Sequence, residues 1–289
     1  MRFLLTLLAA ILASGCAGSL AGRLTLPDRN TLVRDQLVIH GDFTLAAHHR
    51  LFEELTAQRA DLCRRLGLPC SDEPIHVYLF ETSERFEGFM RLRHPEFPDR
   101  RAFFIETDAR LAVYAQWGDR MAEDLRHEVT HGYLHSVVPE VPQWIDEAIA
   151  KFYEVPRGQR GVNRAMLNRV REQIGQDTWR PDLRRLERFP ASYNMNQDDY
   201  AEAWAWGHLL MESRPECLEM LRAYLSDLRR NGAATPLSVR LTTLFDHPEA
   251  ALVEHIRRLS VKGDSPIFAD TKIGTVPAVG APAGETTAR

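Results

Sequence analysis

The chain has 289 residues, 44% hydrophobic and 26% charged, enough apolar material for one large globular domain or two small ones. Its net charge of −4 excludes a general affinity for nucleic acid, which needs a basic surface to displace the counterions of the phosphates.

The first segment, MRFLLTLLAAILASGC, carries one cation at Arg2, an apolar run from Phe3 to Ala13 too short to cross a bilayer, and small residues leading to Cys16. This pattern predicts a signal peptide rather than part of a fold. Its end resembles the bacterial lipobox, with Ala13 where the usual leucine stands. That resemblance implies loss of residues 1–15 and a lipid on Cys16, which becomes the new N-terminus. Ala17 after the cysteine then favours the outer membrane in a Gram-negative cell. The alternative is an ordinary secretory signal with an incidental cysteine, and both imply export. Residues 16–32 read as a tether and 33–262 as the folded domain. The Gly-, Ala-, Pro- and Thr-rich tail 263–289 cannot bury enough surface to offset the entropy of ordering.

Within the domain DQLVIHGDF predicts a strand, and Leu51, Phe52, Leu55, Leu62 and Leu66 mark a helix over 45–66. Export permits disulfides, and Cys63 and Cys70 bracket a turn containing Gly67 and Pro69 that would return one sulfur towards the other. Two small buried thiols are the alternative there. Cys217 has no further partner and is expected to be buried. IHVYLF (75–80) predicts a second strand, and Thr82 or Ser83 can cap a helix reaching Arg93. RAFFIET and RLAVYAQW predict two more strands with a tight turn at Asp108. Helical spacing then dominates, over 119–138, 142–155, 161–175, 198–213, 215–230 and 248–261. Strands first and helices afterwards predict an α+β fold, with a mixed or antiparallel sheet followed by a mainly helical half.

On the first of those helices stands RHEVTHGYLH (126–135). Residues four apart share a helix face, so His127 and His131 can close on one Zn²⁺, while Glu128 projects beside the ion, where a general base for an activated water belongs. RLAVYAQW, ending at Trp117, is the strand expected to act as an edge for an extended substrate. A catalytic zinc has three protein ligands and one open position. A third histidine six residues past His131 is ruled out, because Val137 is there. His135 lies one further turn along, and three histidines on a straight helix cannot converge on one ion, so it is expected to be a bystander.

A carboxylate is the better third ligand. PQWIDEAIAKFYE (142–154) predicts a helix with Pro142 at its start, Trp144, Ile145, Ala148, Ile149 and Phe152 on one buried face, and Asp146 and Glu147 in its first turn. HEVTH paired with this Trp-Glu helix resembles the gluzincin peptidases, in particular the peptidase MA-like domains of exported bacterial proteins. The resemblance spans about 35–230, although only these two motifs are specific. It implies a zincin-like fold, a Zn²⁺ cofactor and Glu147 as third ligand, with Asp146 as second choice. Two positions depart from the family pattern. Ala148 stands where a glycine follows the glutamate, and Lys151 stands where thermolysin-like members carry an aspartate that orients a zinc histidine.

Hydrolysis of a peptide also needs a donor for the charge that develops on the carbonyl oxygen. Tyr200 is the first candidate and His208 the second, with Tyr193 and Tyr153 more remote. Tyr200, Trp204, Gly207, His208 and Met211 would equally make a core-facing stripe with no catalytic part. The sequence therefore predicts a lipid-anchored zinc peptidase acting on peptides or proteins of the cell envelope. The competing expectation is an envelope lipoprotein that uses such a fold as a binding or assembly module.

Overall fold

The computed structural model describes residues 25–260, so the segment 1–15, Cys16 and the 263–289 tail lie outside the described residues. In chain order come β1 (Asn30–Arg34), β2 (Leu37–Gly41), α1 (Arg50–Leu66), β3 (Ile75–Phe80), α2 (Ser83–Arg93), β4 (Ala102–Thr107) and β5 (Arg110–Gln116). After β5 the described residues form helices and loops: α3 (Met121–His135), α4 (Gln143–Tyr153), α5 (Arg164–Gly175), α6 (Leu183–Leu186), α7 (Gln197–Glu212), α8 (Pro215–Asn231), α9 (Leu237–Leu241) and α10 (Pro248–Arg258). The fold is α+β, a sheet followed by helices. Among the described residues no helix is long and apolar enough to cross a membrane.

The sheet is mixed, in the order β1-β2-β3-β5-β4, with antiparallel pairs at both ends and parallel pairs between β2, β3 and β5. The parallel step from β2 to β3 needs a crossover, which α1 supplies. Two placements differ from the sequence expectation. β1 begins in residues assigned to the tether, at 30–32, and runs on into the domain: it pairs Asn30 through Arg34 with Gly41 through Leu37 while alternating half-buried and exposed side chains, the polar character of an edge strand. β5 is internal rather than at the edge, because the turn at Asp108 swings β4 outside it. The compositions agree with this order. Leu111 to Ala115 of β5 are all buried, as a strand covered on both faces requires, whereas β4 ends in exposed Glu106 and Thr107.

One face of the sheet is closed by α2, whose Phe86, Phe89 and Met90 pack on Tyr78, Phe80 and Tyr114. Each large apolar side chain buried there contributes about 1.5–3 kcal/mol. The other face takes α1 and α3. Buried Gln58 of α1 donates to the Arg126 carbonyl at 2.8 Å and to the Thr130 hydroxyl at 2.7 Å, and Tyr133 donates to the Leu55 carbonyl at 3.2 Å. These bonds fix the rotation of α3 and hence the direction of its outward histidines. α1 ends at Gly67, whose φ of 65° only a glycine adopts freely, and the chain turns back so that Cys63 and Cys70 join in a disulfide with Cα atoms 5.8 Å apart. Cys217 is free and buried, as expected.

In the helical half α7 is buried on nearly every side from Asp199 to Met211. Its start is fixed by a capping box, in which Asn196 Oδ1 accepts from the Asp199 amide at 3.1 Å and Asp199 accepts from the Asn196 amide at 3.0 Å. That cap sets the position of Tyr200 one residue later.

Candidate metal centre

His127, Glu128 and His131 lie on α3 and Glu147 on α4. His127 Nε2 and His131 Nε2 are 3.2 Å apart, and a Glu147 oxygen lies 3.5 Å from the first and 4.0 Å from the second. Ligands at about 2.0–2.1 Å from a tetrahedral zinc are separated by about 3.3 Å, so this triangle has the right size for one ion. The Glu147 oxygen that faces the two rings is buried with no hydrogen-bond donor, an atom that a cation would satisfy. These three residues form one of two groups among the described residues whose chemistry and spacing suit a metal.

Behind each ring stands a carboxylate. His127 Nδ1 lies 3.1 Å from a Glu154 oxygen, and His131 Nδ1 lies 2.9 Å from Asp146 Oδ1. Neither Nδ1 is in line for a hydrogen bond, so these are buried ion-pair contacts, and they favour the proton on Nδ1 and leave Nε2 to ligate. Asp146, the second choice as ligand, thus sits on the far side of His131 from Glu147. Glu154 is held in turn by Asn163 at 3.0 Å and by Lys151, so Lys151 steadies this second carboxylate instead of replacing one. Burial on its own would lower the pKa of His127, but Glu147 and Glu154 outweigh it and raise it to about 10. For His131 burial likewise acts downwards, and Asp146 reverses it to a net rise. Burial opposes the ionised form of Glu154, yet His127 and Lys151 hold its pKa down to about 2.

His135 does not join His127 and His131 around a common point, in keeping with the helix geometry, but it is not idle. Its Nε2 lies 3.1 Å from Asp146 Oδ2, and its Nδ1 lies 2.6 Å from Glu106 on β4. His131, His135 and Asp146 are the second group with metal-compatible spacing.

Glu128 projects from α3 towards β4, where one of its oxygens accepts the Phe104 amide at 2.7 Å. Because the Gln116 amide bonds the Arg101 carbonyl, alternation turns the backbone groups of Ala102, Phe104 and Glu106 to the open side of the edge strand. The edge is therefore β4, not β5, and it faces the metal group. Both flank a cleft of about 680 Å³ that includes Arg100, His127, Glu128, Lys151 and Tyr200 in its walls. Arg100 donates to the Tyr200 hydroxyl at 3.4 Å. Burial and the nearby Glu147 charge raise the pKa of Tyr200, which keeps its proton available for donation.

His208 is not brought to the cleft. It lies eight residues beyond Tyr200 on α7, bonded to His255 at 2.9 Å and packed on Phe152 and Trp204. Burial and the His255 charge lower its pKa to about 3, so it is a neutral core residue, as the stripe alternative allowed. Tyr153 donates to Asp61 at 3.1 Å and Tyr193 to Asp199 at 3.4 Å, each committed elsewhere. Sequence reasoning missed Arg100, Glu106 and Glu154. Only Glu154 had a usable signal, since Glu147, Lys151 and Glu154 fall at i, i+4 and i+7 on one face of α4.

No protein-family model matches the chain, and no curated protein matches its sequence.

Proposed function

We propose that the chain is a zinc-dependent peptidase with a gluzincin-type, zincin-like domain, exported and held at the cell envelope by a lipid on Cys16. The observation that carries this reading is the convergence of His127, His131 and Glu147 beside a cleft, with Glu128 between that triangle and an open strand edge. A purely structural zinc usually fills its fourth position with a side chain and has no use for a base there.

Zinc bound by these residues supplies Lewis acidity, which makes water nucleophilic at neutral pH and draws charge from a carbonyl oxygen. The protein does the rest. The edge of β4 takes an extended peptide by main-chain pairing through its remaining outward groups, since Glu128 holds the Phe104 amide. Glu128, fixed by the Phe104 amide, removes the proton of the attacking water and delivers it to the leaving amine. Tyr200 and Arg100 donate to the oxygen on which charge develops, a contribution of about 2.7–4 kcal/mol for a well-placed donor.

The test is metal content and cleavage of a broad peptide library by full-length protein extracted from membranes. Wild type is expected to hold about one zinc and to cleave, whereas Glu128→Gln keeps the metal and loses about a hundred- to ten-thousand-fold in rate. Absence of stoichiometric zinc, with His131→Ala unchanged in melting temperature, overturns the metal reading. Zinc retention with wild type and Glu128→Gln equally inert assigns a binding module instead. Recovery of the chain only from the soluble fraction removes the anchor and leaves the site standing.

A further inference from the structure

A histidine that ligates through Nε2 is aimed by whatever holds its Nδ1. For His131 the carboxylate oxygen beside Nδ1 is Asp146 Oδ1, an ion-pair contact at 2.9 Å that lies off the line of a hydrogen bond and closes by a small turn of the ring. The carboxylate must itself be held, and α4 offers no side chain to do so. The holder comes from α3: His135 Nε2, 3.1 Å from the other Asp146 oxygen. The second ring nitrogen of His135 meets Glu106 at 2.6 Å, and Glu106 belongs to the edge strand. Both nitrogens of His135 face carboxylate oxygens, so both carry protons, and one charged ring joins two acids. The exposed fractions of the side chains run from 8% for His131 and 14% for Asp146 to 17% for His135 and 39% for Glu106, a line from the protected ligand to the surface. Phe104, two residues from Glu106, lays its ring 5.2 Å from His135 and 6.0 Å from His131 while its amide bonds Glu128.

We infer that Glu106, His135 and Asp146 form a positioning relay that orients His131 for the metal and ties the peptide-binding edge of β4 to it. This rests on the zinc reading above. The relay explains why an edge strand, which nothing pairs on its outer side, stays in register with the site: one carboxylate, one amide and one aromatic ring of β4 each grip α3. A second cation held by the same side chains would make His131 bridge two ions through both ring nitrogens, whereas both nitrogens of His135 already stand at N–H donor distance from carboxylates.

The experiment uses full-length protein loaded with Co²⁺ or Zn²⁺, read by chelator competition and by the visible absorption of the cobalt form. His135→Ala is expected to weaken zinc binding by about ten-fold and to alter the cobalt spectrum. His135→Gln, which can still donate to Asp146, recovers part of both. Glu106→Ala, at an exposed position that leaves the core intact, shifts them in the same direction by a smaller factor. Unchanged affinity and spectrum in His135→Ala and Glu106→Ala overturn the relay and leave the zinc site intact. Two metals per wild-type chain also overturn it. Failure of wild type to take up either metal removes the relay together with the site.

Discussion

The two histidines of the candidate metal centre are also a proton store. His127 lies against two carboxylates that raise its pKa to about 10, and Asp146 raises that of His131. A histidine can ligate only when the nitrogen that binds is free of its proton, so metal and proton compete at these rings. Below the folded pKa each further unit of acidity works against the metal, and the competition ends only as pH rises towards about 10. Zinc uptake at pH 7 should therefore release more than one proton, measurable by calorimetry in buffers of different ionisation enthalpy. Glu154→Gln withdraws one of the acids that hold the proton, so its affinity should depend less steeply on pH. An affinity independent of pH between 6 and 9 would contradict this account. His127, Glu128, His131 and Glu147 were legible in the sequence because local helix spacing and a recognisable second helix encode them. Arg100 and Glu106 were not, since they reach the site through the register of an edge strand, which no local pattern fixes.

Element packing shows how the methyl of Ala148 is accommodated beside Glu147. Ala148 has a methyl where the resembled domains have glycine, and the opposing helix accommodates it with Gly207 of α7. A Cβ on Gly207 would stand 2.8 Å from the Ala148 Cβ, closer than such atoms approach. Gly207→Ala should force α4 and α7 apart at a cost of about 1–3 kcal/mol and disturb the neighbouring Glu147, lowering zinc affinity as well as melting temperature. Gly207→Ala with Ala148→Gly restores the room and should recover most of both losses. If the two substitutions simply add, the contact is not the constraint. Elements with a buried periodic face, such as β3 and α7, could be read from the sequence nearly to their ends. β1 could not, because a polar edge strand resembles a tether, and the outer place of β4 depends on pairing that composition only hints at.

At the scale of the molecule the helical half is closed by α10, and its join to α7 is the His208–His255 pair. Burial is the first cause holding the pKa values of both below the usual 6.5, at about 3 and about 4. The sign follows from linkage: below pH 6.5 the unfolded chain takes up protons that the folded pair refuses, so stability is lost as pH falls. For His208, fully buried, the loss between pH 7 and pH 5 is roughly 2 kcal/mol. His127, His131 and His135 act the other way over the same range, because their raised pKa values let the folded state hold protons that the unfolded chain gains only near 6.5. A bare pH profile mixes the two. Comparing wild type with His208→Leu cancels the metal-site term, which both proteins share. The difference in unfolding free energy should move by roughly 2 kcal/mol in favour of the variant from pH 7 to pH 5, as read from urea denaturation at each pH. A difference that stays constant would mean that the pair accepts protons in the folded state and does not hold α10 by remaining neutral.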